Sequence, residues 1–399
     1  MIAEQATGRS RDQGAHTILV LPDRLISLLL FLSLFSVGCG GASVPGVARD
    51  AFVAPIDVLQ VRWRRHLVEE PLIEYKPQEF ASAASDGARV FVGSSAKVLW
   101  AFSTRDGSIL WNRVLGGAIS GRPLYSAVTA TVYVGADDGA LYAFDAATGA
   151  DRWVYHAHGP IASQPVYADD TVYVTSGENR VYALDAKNGK WKWQYDRESP
   201  ESFTIRGYPS PLAVGNRVYV GFSDGYLACL SANSGDVMWA RSLAGDATRF
   251  MDVDSTPLFY RDTLYVSAYS TGVYALDPKD GSTKWRYDVE GATTVRARGS
   301  RLYFTATKSG LHALDLEGHL LWRQALSEGG ELSAPTLVGS YLLVSSAHAG
   351  TYVADARTGR LYQFFAPGHG VTSEPTSDGR QVYVLSNGGY FYALALNKL

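Results

Sequence analysis

Between Thr171 and Tyr195 the chain reads TVYVTSGENRVYALDAKNGKWKWQY. Thr171-Val172-Tyr173-Val174 alternates along its length, and a Gly-bearing turn leads to a second run, Arg180-Val181-Tyr182-Ala183-Leu184-Asp185. Lys187-Asn188-Gly189 then makes a tight turn into Lys190-Trp191-Lys192-Trp193-Gln194-Tyr195. Period-two runs separated by turn residues predict antiparallel strands in a meander. With the preceding segment Ser163-Gln164-Pro165-Val166, the unit holds four strands, the size of a propeller blade.

This unit repeats. The pattern VYV-G-x-x-D-G-x-L-Y-A-L-D-A-x-x-G-x-x-x-W begins clearly at Val132, Val172, Val218, Leu264 and Leu302, and in degenerate form at Val90, Leu342 and Val382. Its Asp falls at Asp145, Asp185, Asp277, Asp315 and Asp355, with Ser231 in one unit and Ser103 and Ala395 at the extrapolated ends. A Gly lies four residues before a Trp at Gly107/Trp111, Gly149/Trp153, Gly189/Trp193, Gly235/Trp239, Gly281/Trp285 and Gly318/Trp322. The Gly suits a turn with positive φ, and the Asp accepts hydrogen bonds from that turn. Six Trp at one repeat position predict packing between blades, not a cofactor box.

Counting units gives eight blades, so the fold class is all-β: an eight-bladed β-propeller of four-stranded antiparallel blades. The seventh unit has Gln363 where Trp is expected, and the eighth stops after its third strand, at Gly389–Ala395. Its missing strand is expected at the other end of the ring, in Leu59-Gln60-Val61-Arg62-Trp63-Arg64-Arg65-His66, which would remove an exposed edge.

Composition agrees. The 399 residues carry a net charge of −3 with no basic block, which argues against nucleic-acid binding. The 24 Tyr and 40 Gly suit many short strands joined by tight turns. Two Cys make no disulfide framework; Cys229 sits in a strand and reads as a small buried hydrophobe.

Upstream of the ring, Leu25–Val37 is apolar apart from three Ser and is preceded by Arg24, the form of a signal-peptide core too short to span a bilayer comfortably. The stretch before Arg24 is long for such a leader, which leaves open a start nearer Val20 or Leu21 from a non-Met codon. Small residues before Cys39 resemble a bacterial lipobox, which implies cleavage there and lipid on Cys39. Gly40 follows where Asp would resemble an inner-membrane retention signal, so the outer membrane, facing the periplasm, is the expected location. Residues 1–38 are thus read as signal, 39–57 as lipidated Cys and flexible tether, and 58–399 as propeller.

Spacing between the Asp positions runs 40, 46, 46, 38 and 40 residues, so two neighbouring connections are enlarged. One is Asp196–Tyr208 and the other Leu243–Asp254. Both follow a fourth strand and therefore leave the same face of the ring. Phe203, Ile205, Tyr208, Phe250 and Met251 are apolar, whereas Arg206, Arg249, Asp252 and Asp254 are charged. Apolar anchors rimmed by charge fit a protein-binding patch; the alternative is loop elaboration with the apolar residues tucked onto the blades.

The blades resemble PQQ-type propeller repeats, a name that marks a sequence family without implying the quinone. Lipobox, eight such blades and little else are similar to the BamB family of outer-membrane assembly lipoproteins, over residues 58–399. The sharper matches are Phe203-Thr204-Ile205-Arg206-Gly207, like that family's apolar-x-apolar-Arg-Gly loop, and Met251-Asp252-Val253-Asp254-Ser255-Thr256-Pro257, like its Asp-Val-Asp-Thr-Thr-Pro segment. Tyr208-Pro209 and the weak seventh blade depart from the pattern. The resemblance implies a non-catalytic scaffold, monomeric within a hetero-complex, without cofactor or metal. It implies binding of the periplasmic POTRA region of a BamA-like barrel subunit alongside the other components of that machine. Phe203, Ile205, Arg206, Asp252 and Asp254 would contact the partner, the acidic pair alternatively orienting Arg206. Unfolded outer-membrane proteins could add as strands to a blade edge.

Two other readings compete. A quinoprotein dehydrogenase shares the ring, but this chain lacks the adjacent Cys pair, large insertions and carboxylate cluster of that class, and its His residues show no metal-ligand spacing. A propeller lipoprotein with an unrelated partner differs only in the two enlarged connections.

Overall fold

The computed structural model describes residues 57–68, 78–198, 208–247, 249–326 and 330–397. Among them there is no helix. The strands pair into eight four-stranded antiparallel sheets. Seven take four consecutive strands each; blade 3, for example, is Val166–Ala168, Thr171–Ser176, Arg180–Asp185 and Trp191–Asp196. The eighth is completed by the N-terminal strand Leu59–His66, which pairs with Tyr390–Leu396 along its length, as the unfinished last repeat predicted. Cys39, the expected lipidation site, and the expected signal and most of the expected tether lie outside the described residues.

A blade stacked between two others has both faces covered, and the burial follows. Second and third strands are buried almost throughout, as in Thr131–Gly135 and Gly272–Leu276. Fourth strands such as Ile109–Val114 face solvent at most positions and bury their Trp. First strands of successive blades approach one another around a central channel. Each of the eight hydrophobic clusters belongs to one seam between neighbouring blades. The last seam joins Phe391 and Ala393 of blade 8 to Val90 and Phe102 of blade 1 and so closes the ring.

The repeated Trp and Gly meet across these seams, not within a unit. Trp111 of blade 1 lies on Gly149 of blade 2, where an added Cβ would come within 2.6 Å of the indole. The same contact joins Trp63 to Gly107, Trp153 to Gly189, Trp193 to Gly235, Trp239 to Gly281 and Trp285 to Gly318. The Gly therefore answers two demands, a positive φ (+70° at Gly149) and a flat surface for the ring. Each of these six indoles also donates to the carbonyl two residues before the Gly or three, as Trp111 Nε1 does to Ala146 at 3.2 Å and Trp193 to Ala232 at 2.8 Å. The Asp of the repeat caps the same turn: Asp145 Oδ1 accepts from the amides of Ala147 and Thr148.

Gln363 in place of Trp now has a reason. At this position every other Trp faces the turn joining the third and fourth strands of the next blade. Blade 8 has no such turn, because its third and fourth strands come from opposite ends of the ring. Gln363 Nε2 donates to the Leu59 carbonyl at 2.9 Å, and the Leu59 amide donates to Gln363 Oε1 at 2.6 Å. An amide side chain thus satisfies backbone groups that a hairpin would have satisfied.

Candidate partner-binding face

Both enlarged connections follow fourth strands, Trp191–Asp196 of blade 3 and Val237–Ser242 of blade 4. They leave the ring side by side on one face. The apolar-x-apolar-Arg loop with Phe203, Ile205 and Arg206 lies outside the described residues, so the structure speaks for its two ends and for the second connection.

At the near end Arg197 pairs with Asp224 and lies over the Tyr226 ring, its guanidinium carbon 3.9 Å from the centroid. The Arg197 amide donates to the Asn179 carbonyl, and Asn179 Nδ2 donates to Ser223 Oγ at 2.7 Å. The connection therefore starts pinned to blade 4 by a charge-assisted contact and a cation–π contact. Sequence reading missed Asp224 and Tyr226 because Asp224-Gly225 is the repeat's own Asp-Gly turn and reads as scaffold. At the far end the Pro209 carbonyl accepts from Thr175 Oγ1 at 2.6 Å, and Tyr208 lines a cavity of about 700 Å³ with Phe80, Ser120, Asp137, Pro160 and Ala162.

The second connection is stitched into the seam between blades 4 and 5. The Leu243 carbonyl accepts from Thr271 Oγ1 and Tyr274 Oη. Met251 packs on Gly225. The Val253 amide donates to the Phe222 carbonyl, and its side chain is wholly buried. Ser255 Oγ donates to the Ser267 carbonyl and accepts from the Ser267 amide. Between these ties Phe250 stays in solvent, 42% exposed, on a backbone with φ of +52°. Its carbonyl accepts from Ser270 Oγ at 2.6 Å, and its ring lies 6.3 Å from that of Tyr269. A non-Gly residue at positive φ is strained unless its surroundings hold it there, as they do here.

The acidic pair splits. Asp252 is 1% exposed, and its carbonyl accepts from the Tyr269 amide. Asp254 is partly buried and lines a cavity of about 250 Å³ with Tyr269, Thr293, Thr307 and Glu331. Burial, and then the like charges of Asp252 and Glu331, push its carboxyl up to about 7. Glu331 belongs to the connection leading into blade 7, and no spacing signal in the sequence joins it to Asp254.

Other side chains that could carry chemistry have structural surroundings. Cys229 is buried in the seam between blades 4 and 5, and burial pushes its thiol up to about 11, so it stays protonated and inert. His156 and His158 are exposed. Among the described residues no group of three or more His, Cys, Asp or Glu is placed to hold a metal ion.

Comparison with known proteins bears on the family and the fold. The family described as "Outer membrane protein assembly factor BamB" matches residues 120–319 and 316–398. A protein of that name from Legionella pneumophila (strain Paris) is 31% identical over 202 residues, 49% of this chain and 53% of that one. The chain thus spans about half the length of the curated relatives it matches at this level. The crystal structure of BamB from Moraxella catarrhalis superposes with a TM-score of 0.74 at 22% identity, covering 85% of this chain and all of that one. The quinohemoprotein alcohol dehydrogenase ADHIIG from Pseudomonas putida HK5 superposes at 0.67 with 14% identity, covering 86% of this chain and 77% of that one. Likeness at these identities establishes the eight-bladed ring alone, since a factor and an enzyme share it.

Proposed function

The chain belongs to the family of the outer membrane protein assembly factor BamB, and from that premise we propose that it is a non-catalytic scaffold of the outer-membrane β-barrel assembly machinery. Lipid on Cys39 anchors it at the periplasmic face of the outer membrane. The face bearing the two enlarged connections binds the POTRA region of a BamA-like barrel subunit. Phe203, Ile205 and Arg206 contact that region with Asp254, and Asp252 acts from behind through its charge on Asp254. Anchoring raises the effective concentration of the ring beside a membrane-embedded partner.

The observation that carries this reading is the placement of exposed Phe250 and partly buried Asp254 on either side of Tyr269, on a connection tied into the blade seam. An aromatic anchor next to a desolvated charge is the composition of an interface centre, and its rigid backbone lowers the ordering cost of binding. The blade rim fits a second task. The outer strands have one unpaired edge and expose Ile109, Leu110, Trp191, Met238 and Leu320, which suits addition of extended apolar client strands.

Titration of the purified POTRA region of the cognate barrel subunit tests the face. Phe250→Ala and Asp254→Ala should each weaken binding by tenfold or more, about 1.4 kcal/mol. Leu110→Ser on the rim should leave it unchanged. Loss of binding in the rim variant alone would place the interface elsewhere.

A further inference from the structure

Blades 2 and 6 stand opposite one another in a ring of eight, so side chains from the two can interact only on the axis. The charges of Arg296 of blade 6 and Glu374 of blade 8 both act on Arg122 of blade 2. Arg296 Nη2 donates to Glu374 Oε1 at 2.6 Å, reaching past blade 7. Thr336 Oγ1 of blade 7 lies 3.3 Å from the same oxygen. Arg296 and Glu374 are thus paired across blade 7, and Arg122 lies within reach of their charges.

Their charges do not balance. Two guanidinium groups share one carboxylate, and that carboxylate is already engaged by Arg296. Arg122 Nε is sealed from solvent and has no hydrogen-bond partner. A buried donor without a partner costs free energy, most of all on a cation. Among the eight equivalent positions of the described blades, Glu374 is the one carboxylate. Hydrogen bonds from Gln164 to Ser210, Ser210 to Thr256 and Thr256 to Thr294 link corresponding positions of blades 3 to 6. Those positions, each preceding the blade-opening Pro or its equivalent, are neutral in six of the eight blades; Arg122 and Glu374 are the exceptions.

We propose that the channel binds a small oxyanion, a phosphate or carboxylate group, bridging Arg122 and Arg296. Planar guanidinium forks match two oxygens of such a group, and the surrounding blades exclude water that would compete. A cavity of about 700 Å³ lies at Ser120, two residues before Arg122. Burial and the like charge of Arg296 lower the Arg122 proton affinity against the opposing pull of Glu374, the strain that a second anion relieves. The site is independent of the partner reading, because Arg122 lies on blade 2 and both enlarged connections leave blades 3 and 4.

Isothermal titration of the purified full chain in detergent with inorganic phosphate, and separately with acetate, tests this at constant ionic strength. One saturable site is expected, and competition between the two ions shows whether phosphate or carboxylate is preferred. Arg122→Gln should weaken it at least tenfold. Glu374→Gln should tighten it severalfold by freeing Arg296, a gain that misfolding cannot imitate. POTRA binding by Arg122→Gln should match wild type. Absence of saturable heat, equal affinity in wild type and Arg122→Gln, or weaker or unchanged binding in Glu374→Gln would overturn the proposal.

Discussion

Asp254 carries a pH signature that its neighbours impose. Its carboxyl is raised to about 7 in the folded chain, against about 3.9 for a free aspartate. Between those values the folded state holds a proton that the unfolded state has released, so stability falls as pH rises through the window and is level above it. Asp254→Asn removes the charge and its penalty. Urea unfolding should find the variant about 1–2 kcal/mol more stable than wild type at pH 8, after allowance for partial exposure, and equal to it near pH 4. A variant less stable than wild type at pH 8 would show that a cation already holds the carboxylate. Two glycines give a second contrast at this scale. Gly149 and Gly215 have φ of +70° and +56°; a Cβ at the first would strike Trp111 at 2.6 Å, and at the second meets nothing within 4 Å. Gly215→Ala should lose about 1 kcal/mol and Gly149→Ala about 3 kcal/mol, read as midpoints in parallel denaturant titrations. Equal losses would mean the indole contact is slack. Residue-level features were the least legible in the sequence. Alternation tells inward from outward along a strand, but not in an irregular connection, so the burial of Asp252 and the exposure of Phe250 emerge only from the folded seam. Glu331 reaches Asp254 through ring geometry that no local pattern encodes.

The element that decides the ring is Leu59–His66. It supplies the outer strand of blade 8 and places Trp63 on Gly107 of blade 1. Gln363 then locks its first residue to blade 7. Deleting residues 59–66 should lower the melting temperature by well over 10 °C and end single-step unfolding, because two seams open together. An unchanged melting temperature would refute closure by this strand. Strands and turns were legible in advance because the repeat presents the same period-two runs and Gly turns eight times, and the unfinished eighth unit announced a strand from elsewhere. The closing strand was recognisable by Trp63 alone. Seam pairing was not legible: Gly and Trp four residues apart in sequence belong to different contacts, each made with an adjacent blade.

The described residues between 57 and 397 form a ring that its repeated parts hold together, and its departures from repetition are where the proposed function is placed. Two 46-residue intervals pointed to one face, and the ends of both enlarged connections are built into blades 3 to 5 on that face. The ring itself is shared with an enzyme of unrelated chemistry, so the fold does not choose a function. Family membership and the composition of the loop face are what support the proposed one. The most direct test is retrieval of partners from detergent-solubilised native membranes by the full chain and by an Arg206→Ala/Asp254→Ala variant. The BamA-like barrel subunit should come down with the wild type and be reduced at least tenfold with the variant; its absence from both would contradict the scaffold role.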